Sequence, residues 1–533
     1  MRLPVEDEQR ALDTIVAAAE AGMTVFDTAR SYGPEGQPGH NERLLVRGLR
    51  QAGADAVARV VTKGGMTRAG GRWMPDGRAK AIRADCEASL EALEGLAIDL
   101  YLVHTPDPRT PWRTSVRALA RLVDEGLVRR VGVANVNRAQ LDEALEHAPV
   151  AAVQVALSPF DDHALRGGVV ERCAERELTL LAHSPLGGPK RAAKLTQTEA
   201  EMAIAWVLAL GENVIAIPGA RRPETVRSAA HAASLGLTRA ERDRIHRVPA
   251  RKRRTKRRGD VVLVMGIPGA GKSVVAEEYT TRGYQRLNRD DRGGSLRNIA
   301  DALEEQLAGG LRQVVLDNTY LTRASRSHVL EAAAGHGISV RCIWLDTPLA
   351  QAQVNMVERL LDHFGSLPTP EELKARAREP GVHTPTSQMR AVRELEPPSL
   401  DEGFAAVEQV PFVRAPTKGR SGVFVAAAAL GAPGWAGGTE DAAPHLFFDW
   451  SPEGALELAI PPSISGTAET AVCTHGGGPP VCWCRPPLPG LALAFARAHG
   501  VDPERSTVVG TSPAHRALAA ALGAALVLLS RPG

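Results

Sequence analysis

Short apolar runs alternate with longer amphipathic segments through the first 235 residues of the chain. Seven runs have the length and composition of buried strands: 24–26, 59–62, 99–103, 131–133, 152–155, 178–182 and 214–217. The segments between them, such as 79–95, have helical spacing. Strands that alternate with helices predict a parallel sheet. Seven or eight such units in one block predict an α/β fold of the (β/α)8 TIM-barrel type, which usually takes about 250 residues.

A second α/β pattern begins beyond a basic segment. Residues 251–258 hold seven Lys or Arg side chains in eight positions. Strand candidates follow at 260–265, 313–316 and 340–345, and Gly, Ala and Pro become frequent after about residue 415. A strand-helix-strand pattern then covers 507–529. We therefore predict four parts: a barrel (1–248), a basic linker (249–259), a P-loop α/β domain (260–415) and a Rossmann-like domain (416–533).

Composition narrows the class of protein. The chain has 533 residues, 44% of them hydrophobic and 23% charged, which excludes a wholly disordered or fibrous chain. Its net charge of +3 does not indicate a polyanion partner for the whole protein. The basic run has two interpretations, a solvated linker or a nucleic-acid contact that neutralises phosphates. The longest apolar run, 517–529, falls short of the ~20 residues that span a bilayer. We expect a cytoplasmic enzyme with no membrane partner.

Four polar residues interrupt the first block at strand ends or in the loops just after them: Asp27, Tyr32, Lys63 and His104. Barrels of this kind keep their chemistry at the carboxyl ends of their strands. A carbonyl that accepts a hydride also needs a proton at its oxygen. A tyrosine has an ordinary pKa near 10, and a neighbouring Lys lowers it by favouring phenolate. An Asp fixes the Lys, and a His orients the carbonyl.

The segments 26–32, 61–64, 102–104 and 217–221 resemble those of the aldo-keto reductases over about residues 1–240. The resemblance implies that Tyr32 is the acid-base and that Asp27, Lys63 and His104 complete a tetrad. It places four residues beside the nicotinamide of the cofactor: Asn135, Gln154, Ser184 and Leu186. It also places Gly219 and Arg221 at the adenosine-phosphate end, where Arg favours NADP over NAD. It thus implies reduction of a small carbonyl substrate with NADP(H).

The same resemblance predicts an irregular barrel. The family has a complete first strand before its opening helix, and residues 1–3 supply only the tail of one. We therefore expect either a truncated first strand or a start codon upstream of Met1. A seven-stranded barrel would leave a hydrogen-bonding edge exposed.

A phosphate-binding loop opens the second block. Residues 266–273 read G-x-x-x-x-G-K-S between a strand candidate and a helix candidate, which is the context that this motif requires. Its predicted nucleotide ligands are backbone N–H groups and side chains at Gly266, Gly269, Gly271, Lys272 and Ser273. Lys272 would reach the β- and γ-phosphates of ATP and Ser273 would bind Mg²⁺. Asp290 and Asp317 follow neighbouring strands, as a base for an acceptor hydroxyl and as a Mg²⁺ ligand.

The stretch 260–413 resembles the polynucleotide 5′-hydroxyl kinase domain. The matching segments are 266–273, 288–290, 317–319, 324–326, 351–355 and 394–404. The resemblance implies that Asp290 is the general base and that Arg359 is the lid arginine over the transferred phosphoryl group. The lid, 360–390, departs from the family's pattern, which leaves the acceptor open among DNA, RNA and a small hydroxyl compound.

Two tight ligand pairs occur near the C-terminus, Cys473 with His475 and Cys482 with Cys484, and together they suit tetrahedral Zn²⁺. Buried cysteines without metal are the simpler alternative. Residues 485–490 resemble the zinc-loop, histidinol-phosphate-phosphatase branch of the haloacid-dehalogenase-like phosphatases. The D-x-D nucleophile of that family is absent from the strand candidate at 422–428, and 510–515 lacks its Mg²⁺-binding acid. We expect a structural zinc and no phosphatase activity.

Two classes of function follow. In the first, the chain is a bifunctional enzyme that joins an NADP-dependent reductase to an ATP-dependent kinase, with a nucleic-acid 5′-hydroxyl among the candidate acceptors. In the second, the barrel only binds the cofactor or senses redox state, and the kinase acts on a small molecule.

Overall fold

The computed structural model describes residues 7–70, 72–246, 259–377, 379–413, 418–430, 432, 443–452, 458, 460–462, 464, 466–478 and 480–530. The chain divides into two compact units, Met1–Arg251 and Lys252–Gly533. The basic run at 251–258 and the predicted tail of a first strand lie outside the described residues. Within these residues, no helix combines the length and the apolar character needed to cross a membrane.

The first unit alternates strands with helices. Its strands are β1 (Val25–Asp27), β2 (Arg59–Gly64), β3 (Met66–Ala69), β4 (Arg72–Pro75), β5 (Ile98–Val103), β6 (Val131–Ala134), β7 (Val150–Ala156), β8 (Thr179–His183) and β9 (Val214–Ile217). Its helices are α1 (Glu8–Glu20), α2 (His40–Gln51), α3 (Ala79–Ala92), α4 (Trp112–Asp124), α5 (Arg138–His147), α6 (His163–Arg166), α7 (Val169–Glu175), α8 (Pro189–Ala192), α9 (Gln197–Leu208), α10 (Pro223–Ala232) and α11 (Arg239–Ile245).

Seven strands of this unit form one parallel sheet in the order β1-β2-β5-β6-β7-β8-β9, a nearly closed barrel. All seven predicted strands are confirmed. Apolar side chains such as Ile15, Leu49 and Leu119 bury one face of the surrounding helices against the strands. Strands β3 and β4 form a separate antiparallel hairpin.

The barrel is open between β1 and β9, because these two strands share no pairing within the described residues. A cavity of about 370 Å³ lies in this gap, lined by Ala18, Phe26, Ile204, Ile215 and Val226 among others. The described sheet thus has seven strands rather than the eight of a complete TIM barrel, and both edge strands keep unpaired backbone groups.

The second unit contains two five-stranded parallel sheets. The first has the order β11-β12-β10-β13-β14. Its strands are β10 (Asp260–Met265), β11 (Gln285–Leu287), β12 (Gln313–Asp317), β13 (Val340–Leu345) and β14 (Ala406–Val410). Its helices are α12 (Lys272–Thr281), α13 (Arg289–Arg292), α14 (Leu296–Ala308), α15 (Arg323–Gly335), α16 (Leu349–Phe364), α17 (Pro370–Ala375) and α18 (Pro385–Glu394), with a 3-10 turn at Leu400–Glu402.

The second sheet of this unit has the order β17-β16-β15-β18-β19. Its strands are β15 (Val423–Ala426), β16 (His445–Trp450), β17 (Ala468–Cys473), β18 (Thr507–Gly510) and β19 (Ala525–Leu528), with helices α19 (Gly490–His499) and α20 (Pro513–Leu522). Short 3-10 turns cover Ala427–Ala429 and Pro503–Arg505. Helix α16 joins the two sheets, because its Val354, Val357 and Leu361 pack in one apolar core with Phe424 and Leu493 of the second sheet region.

A buried ion pair joins two segments that lie far apart in the sequence, 324–326 and 394–404. Arg326, which is fully buried, donates to both carboxylate oxygens of Glu402 at 2.8 and 2.7 Å and to the backbone oxygen of Glu396 at 2.9 Å. Nearby, Arg323 donates to Asp401 at 2.8 Å. Loss of one partner from such a pair costs about 3–5 kcal/mol, since a charge is left buried alone. These segments therefore hold the fold together rather than perform chemistry.

Candidate active sites and metal centre

Parallel pairing brings the four predicted tetrad residues to one end of the barrel. Asp27 is the last residue of β1, Lys63 lies near the end of β2, and His104 directly follows β5. Tyr32 lies in the loop after β1. Neighbouring strands of a parallel sheet present their carboxyl ends at the same edge, so residues far apart in sequence become neighbours.

Lys63 and Asp27 form a buried ion pair. The Lys63 Nζ donates to Asp27 Oδ1 at 2.6 Å and to the Thr28 backbone oxygen at 2.8 Å. Gln154 Nε2 also donates to Asp27 Oδ1 at 2.7 Å. Burial alone would raise the pKa of Asp27, but the Lys63 charge and these hydrogen bonds bring its pKa below the ordinary value. Asp27 is thus ionised at neutral pH and fixes the ammonium of Lys63.

Tyr32 lies between this ammonium and an imidazole. The Lys63 Nζ is 5.3 Å from the centroid of the Tyr32 ring, and the His104 ring centroid is 5.7 Å from it at an interplanar angle of 77°. The His104 Nδ1 is buried and has no hydrogen-bond partner among the described residues. Burial and the Lys63 charge lower the pKa of His104 to about 3, so its ring is neutral at neutral pH. The side chains of Lys63, Tyr32 and His104 therefore lie close together at the carboxyl ends of the strands.

Sequence reasoning missed two residues of this site. Trp73, from the β3–β4 hairpin, lies 6.3 Å from Tyr32 and 6.1 Å from His104 between ring centroids. His183 ends β8, and its Nε2 donates to Asn135 Oδ1 at 2.9 Å. His183 carries the same strand-end signal as the tetrad and could have been found. Trp73 could not, because its hairpin is an insertion after β2 with no barrel periodicity.

The predicted cofactor-side residues fall into two groups. Asn135 donates to the His104 backbone oxygen at 2.9 Å, and Gln154 contacts Asp27, so both adjoin the tetrad. Ser184 follows His183 and is exposed, whereas Leu186 packs against the apolar contact between α9 and α10.

Gly219 and Arg221 are both exposed in the loop before α10. No atom lies within 4 Å of the place where a side chain on Gly219 would begin. The N-terminus of α10 has no side-chain cap, which leaves its N–H groups available to an anion.

The phosphate loop has the predicted strand-loop-helix structure between β10 and α12. Gly269 has φ +84°, and a Cβ there would lie 2.2 Å from the Ala352 backbone oxygen, so only glycine fits. Gly266 (φ +155°) and Gly271 (φ +94°) also adopt positive φ. The Lys272 Nζ donates to the Gly266 and Ile267 backbone oxygens at 3.1 and 2.9 Å. The Lys272 ammonium therefore lies inside the loop that is predicted to bind the phosphates of a nucleotide.

Lys272 should make nucleotide binding depend on pH. Burial and the nearby Arg359 lower its pKa to about 8, although Asp317 opposes this shift. The phosphates of bound ATP would raise the pKa of Lys272 again, because they favour its charged form. ATP affinity should therefore be independent of pH below pH 8 and should weaken above it, by up to about tenfold per pH unit. Calorimetry in buffers of different ionisation enthalpy should detect proton uptake on ATP binding at pH 8.5 and almost none at pH 7. In Lys272→Arg, uptake at pH 8.5 should vanish; uptake that persists would contradict the assignment.

The predicted acidic residues have different surroundings. Asp290 is exposed in α13, and Asn288 Oδ1 accepts from its backbone N–H at 2.5 Å. Asp317 is 2% exposed, and both of its oxygens accept from Arg286, at 2.9 and 2.6 Å. The sequence placed Asp317 beside Mg²⁺ and did not foresee this pairing with Arg286. Each Asp317 oxygen therefore already accepts one hydrogen bond from Arg286, and each keeps a further lone pair for another ligand.

The lid and the preceding helix α16 both contact the phosphate loop directly, and sequence reasoning missed these contacts. Gln388 Nε2 donates to the Pro268 oxygen and Asn355 Nδ2 donates to the Gly269 oxygen, both at 2.8 Å. The predicted lid residue Arg359 is exposed on α16, and its Cδ and Nη1 lie 3.3 Å from the position of a Cβ on Gly381. The segment 381–388 therefore lies over the loop that would hold phosphates.

The four predicted metal ligands come together. The ligand atoms of Cys473, His475, Cys482 and Cys484 all lie within 4.8 Å of one another. The contacts among these atoms range from 3.1 Å (His475 Nδ1 to Cys484 Sγ) to 3.7 Å (Cys473 Sγ to Cys482 Sγ). Tetrahedral zinc with Zn–S bonds of about 2.3 Å and Zn–N bonds of about 2.0–2.1 Å separates its ligands by roughly 3.4–3.8 Å. Three sulfurs and one nitrogen at this spacing fit Zn²⁺.

In the second sheet of this unit, strand β15 and the described residues 510–515 at the end of β18 carry no carboxylate. Strand β15 ends at Ala426 and is followed by more alanines. After β18, the Thr511 backbone N–H donates to His515 Nδ1 at 3.0 Å. A carboxylate nucleophile is therefore missing where the resemblance would put one.

Comparison with known proteins separates the two units. The sequence profile of the Aldo/keto reductase family matches residues 4–200, and that of the AAA domain matches residues 261–380. Aldo-keto reductase str7 of Strobilurus tenacellus is 30% identical over 279 residues, which cover 44% of this chain and 80% of that protein. An uncharacterized oxidoreductase of Schizosaccharomyces pombe is 28% identical over 244 residues, covering 44% of this chain and 77% of that protein.

Among solved structures, the glycerol dehydrogenase of Gluconobacter oxydans has 27% sequence identity and a TM-score of 0.40, covering 44% of this chain and 84% of that one. The AAA-domain match agrees with the P-loop geometry around Lys272. The reductase relatives, the nearly closed parallel barrel and the polar residues at its strand ends all concern the first unit. Through that unit, the chain belongs to the aldo-keto reductase family.

Proposed function

We propose that the first unit reduces a small carbonyl compound with NADP(H) and that the second transfers a phosphoryl group from ATP to a hydroxyl acceptor. The observation that carries the reductase proposal is the buried Lys63–Asp27 pair beneath the Tyr32 ring, with a neutral His104 opposite. A buried cation beside a phenol favours phenolate, so it makes Tyr32 a stronger acid.

In this proposal the proton moves from Tyr32 to the carbonyl oxygen. Lys63 stabilises the negative charge that then develops on the phenol oxygen, and Asp27 holds the Lys63 ammonium in place. His104 is neutral and can hydrogen-bond the substrate oxygen without competing as an acid. Trp73 closes one side of this position and excludes water. NADPH, when bound, supplies the hydride.

The residues on the cofactor side fit a dinucleotide phosphate. Asn135 and Gln154 lie beside the tetrad, where a nicotinamide amide would need hydrogen-bond partners. Arg221 and the uncapped start of α10 offer positive charge and N–H groups to a phosphate, and open space lies over Gly219. A second possibility is that the barrel binds the cofactor without turnover; the gap between β1 and β9 is the observation that favours it.

Two measurements distinguish a reductase from a barrel that only binds the cofactor. NADPH binding is titrated by fluorescence, and turnover is then measured with a panel of aldehydes. Saturable binding with reduction of any aldehyde supports the reductase. Saturable binding without turnover supports a cofactor-binding or redox-sensing module. The absence of binding would contradict both.

For the second unit, the phosphate loop and the exposed Asp290 support a kinase of the polynucleotide 5′-hydroxyl type. Lys272 would stabilise charge on the β- and γ-phosphates, Ser273 would hold Mg²⁺, and Asp290 would orient and deprotonate the acceptor. Arg359 would neutralise the transferred group from the lid.

Label transfer from γ-labelled ATP to 5′-hydroxyl DNA, 5′-hydroxyl RNA and small polyols identifies the acceptor class. If the acceptor is nucleic acid, replacing the Lys and Arg side chains at 251–258 by neutral ones should weaken nucleic-acid binding. The salt dependence of that binding should become flatter, and ATP affinity should change little. Transfer to polyols alone would move the acceptor to small molecules, and no transfer at all would contradict the kinase.

The four-ligand cluster is proposed to hold one structural Zn²⁺ per chain. Cys482→Ser and Cys484→Ser should each lose most of the bound metal and lower the unfolding temperature of the second unit, because site formation and folding are coupled. Metal analysis of protein purified without chelator checks this, with buried Cys342→Ser as the control that keeps its zinc. A wild-type protein free of zinc would refute the site.

The same part of the chain is not expected to act as a phosphatase. Because β15 ends at Ala426 and carries no acid, phosphatase assays should show no turnover.

A further inference from the structure

The proposed zinc loop contacts the lid of the nucleotide site. Trp483 lies between the ligands Cys482 and Cys484, is 0% exposed, and donates from Nε1 to the His383 backbone oxygen at 2.9 Å. Its ring packs in the apolar core that includes Val357 and Leu361 of α16 and Val382 of the lid. A single side chain thus links a metal-binding loop to the lid, 100 residues away in sequence.

A second contact lies on the same side. Leu367, at the start of the lid after α16, packs against the three cysteine side chains of the cluster. Gly490, where α19 begins after the zinc loop, leaves no room for a side chain, because a Cβ would lie 2.3 Å from the Trp483 oxygen and 3.1 Å from Leu367 Cδ2. The zinc loop, the start of α19 and the lid are therefore closely packed.

The lid carries this constraint to the phosphate loop. His383 is two residues from Gly381, which lies against Arg359, and five residues from Gln388, which donates to Pro268 of the phosphate loop. Gln388 is fully buried, and its Oε1 has no hydrogen-bond partner among the described residues. The lid position over the loop is thus set by Gln388 at one end and by Trp483 near the other.

We propose that Trp483 is a positioning residue for the nucleotide site: held by the zinc loop, it fixes the segment 381–388 over the phosphate loop. The C-terminal sheet region then serves the kinase as a support for its lid rather than as a phosphatase. This inference rests on the proposed kinase function for its catalytic consequence but not for its structural one. Without zinc, the loop that holds Trp483 would lose its cross-links, and the lid would lose its anchor.

The test compares Trp483→Phe with Trp450→Phe. Each variant removes one indole N–H that donates to a backbone oxygen at 2.9 Å beside the metal site, but Trp450 donates to His475 and not to the lid. Two quantities are measured for each variant: amide hydrogen exchange, and the affinity for a fluorescent ATP analogue in the presence of Mg²⁺. The zinc content of each variant is determined as a check. In Trp483→Phe, exchange at 381–388 should rise and nucleotide affinity should fall about fivefold, which is the effect of one ordinary hydrogen bond. Because Trp450 bonds the proposed zinc ligand His475, the variants are compared at equal zinc content, and there Trp450→Phe should match wild type in both.

Equal behaviour of the two variants, or unchanged exchange at 381–388 in Trp483→Phe, would overturn the inference. Stepwise removal of zinc from the wild-type protein gives an independent measurement, in which exchange at 381–388 should rise in proportion to the zinc lost. Exchange is measured without nucleotide, so it reports on the lid even if no phosphoryl transfer is found. Loss of transfer with an intact exchange response would count against the kinase alone.

Discussion

Replacing Tyr32 by Phe should lower kcat for carbonyl reduction by about 10²–10⁴-fold, since the proposed proton donor is removed. NADPH affinity should not change, because in the proposed mechanism the phenol acts on the carbonyl oxygen of the substrate and does not hold the cofactor. Lys63→Met should have a comparable effect on kcat, because the buried cation that favours the phenolate is lost. Stopped-flow measurement of NADPH oxidation separates binding from the chemical step.

Tyr101→Phe is the matched control for this experiment. The Tyr101 hydroxyl is buried in the same barrel and donates to the Ile82 backbone oxygen at 3.2 Å, on the helix-facing side of β5. Its removal should reduce stability slightly and leave kcat as in wild type. Wild-type turnover in Tyr32→Phe would eliminate the tetrad assignment, and a large loss of kcat in both variants would indicate a folding defect instead.

Changing Asp290 to Asn should retain ATP binding and lower phosphoryl transfer by about 10²–10⁴-fold, since an amide cannot accept the proton of the acceptor hydroxyl. Lys272→Ala should remove both transfer and most ATP hydrolysis, because charge on the β- and γ-phosphates is then no longer stabilised. The measurements are label transfer to the best acceptor and binding of an ATP analogue for each variant.

Asp291→Asn controls for charge at the same place. Asp291 is the next residue of α13, is also exposed, and carries the same charge. The Asp291→Asn variant should transfer the phosphoryl group as fast as wild type. A loss of transfer confined to Asp290→Asn then identifies Asp290 as the base. If Asp290→Asn keeps the wild-type rate with an active acceptor, the base has been assigned to the wrong residue.

The strands, and the edge of the sheet at which the polar residues gather, can be predicted from the amino-acid sequence alone. All seven strands of the barrel, and strands β10, β12 and β13 of the sheet beside the phosphate loop, can be predicted from the sequence, because buried parallel strands are short apolar runs between amphipathic helices. Parallel pairing then dictates that Asp27, Lys63 and His104 meet, however far apart they are in sequence. The ligand pairs of the zinc cluster were equally legible, because each pair is local.

Which polar groups are already paired, and with which distant partners, depends on how the elements pack in three dimensions. The periodicity of a segment indicates which of its faces is buried. It does not indicate which residue, 30 or 100 positions away in the sequence, that face contacts. Arg286 engages both oxygens of Asp317, and Trp483 donates to His383, through contacts with no sequence signature. The neutral state of His104 likewise follows from burial beside Lys63, a property of its packed surroundings rather than of its residue type.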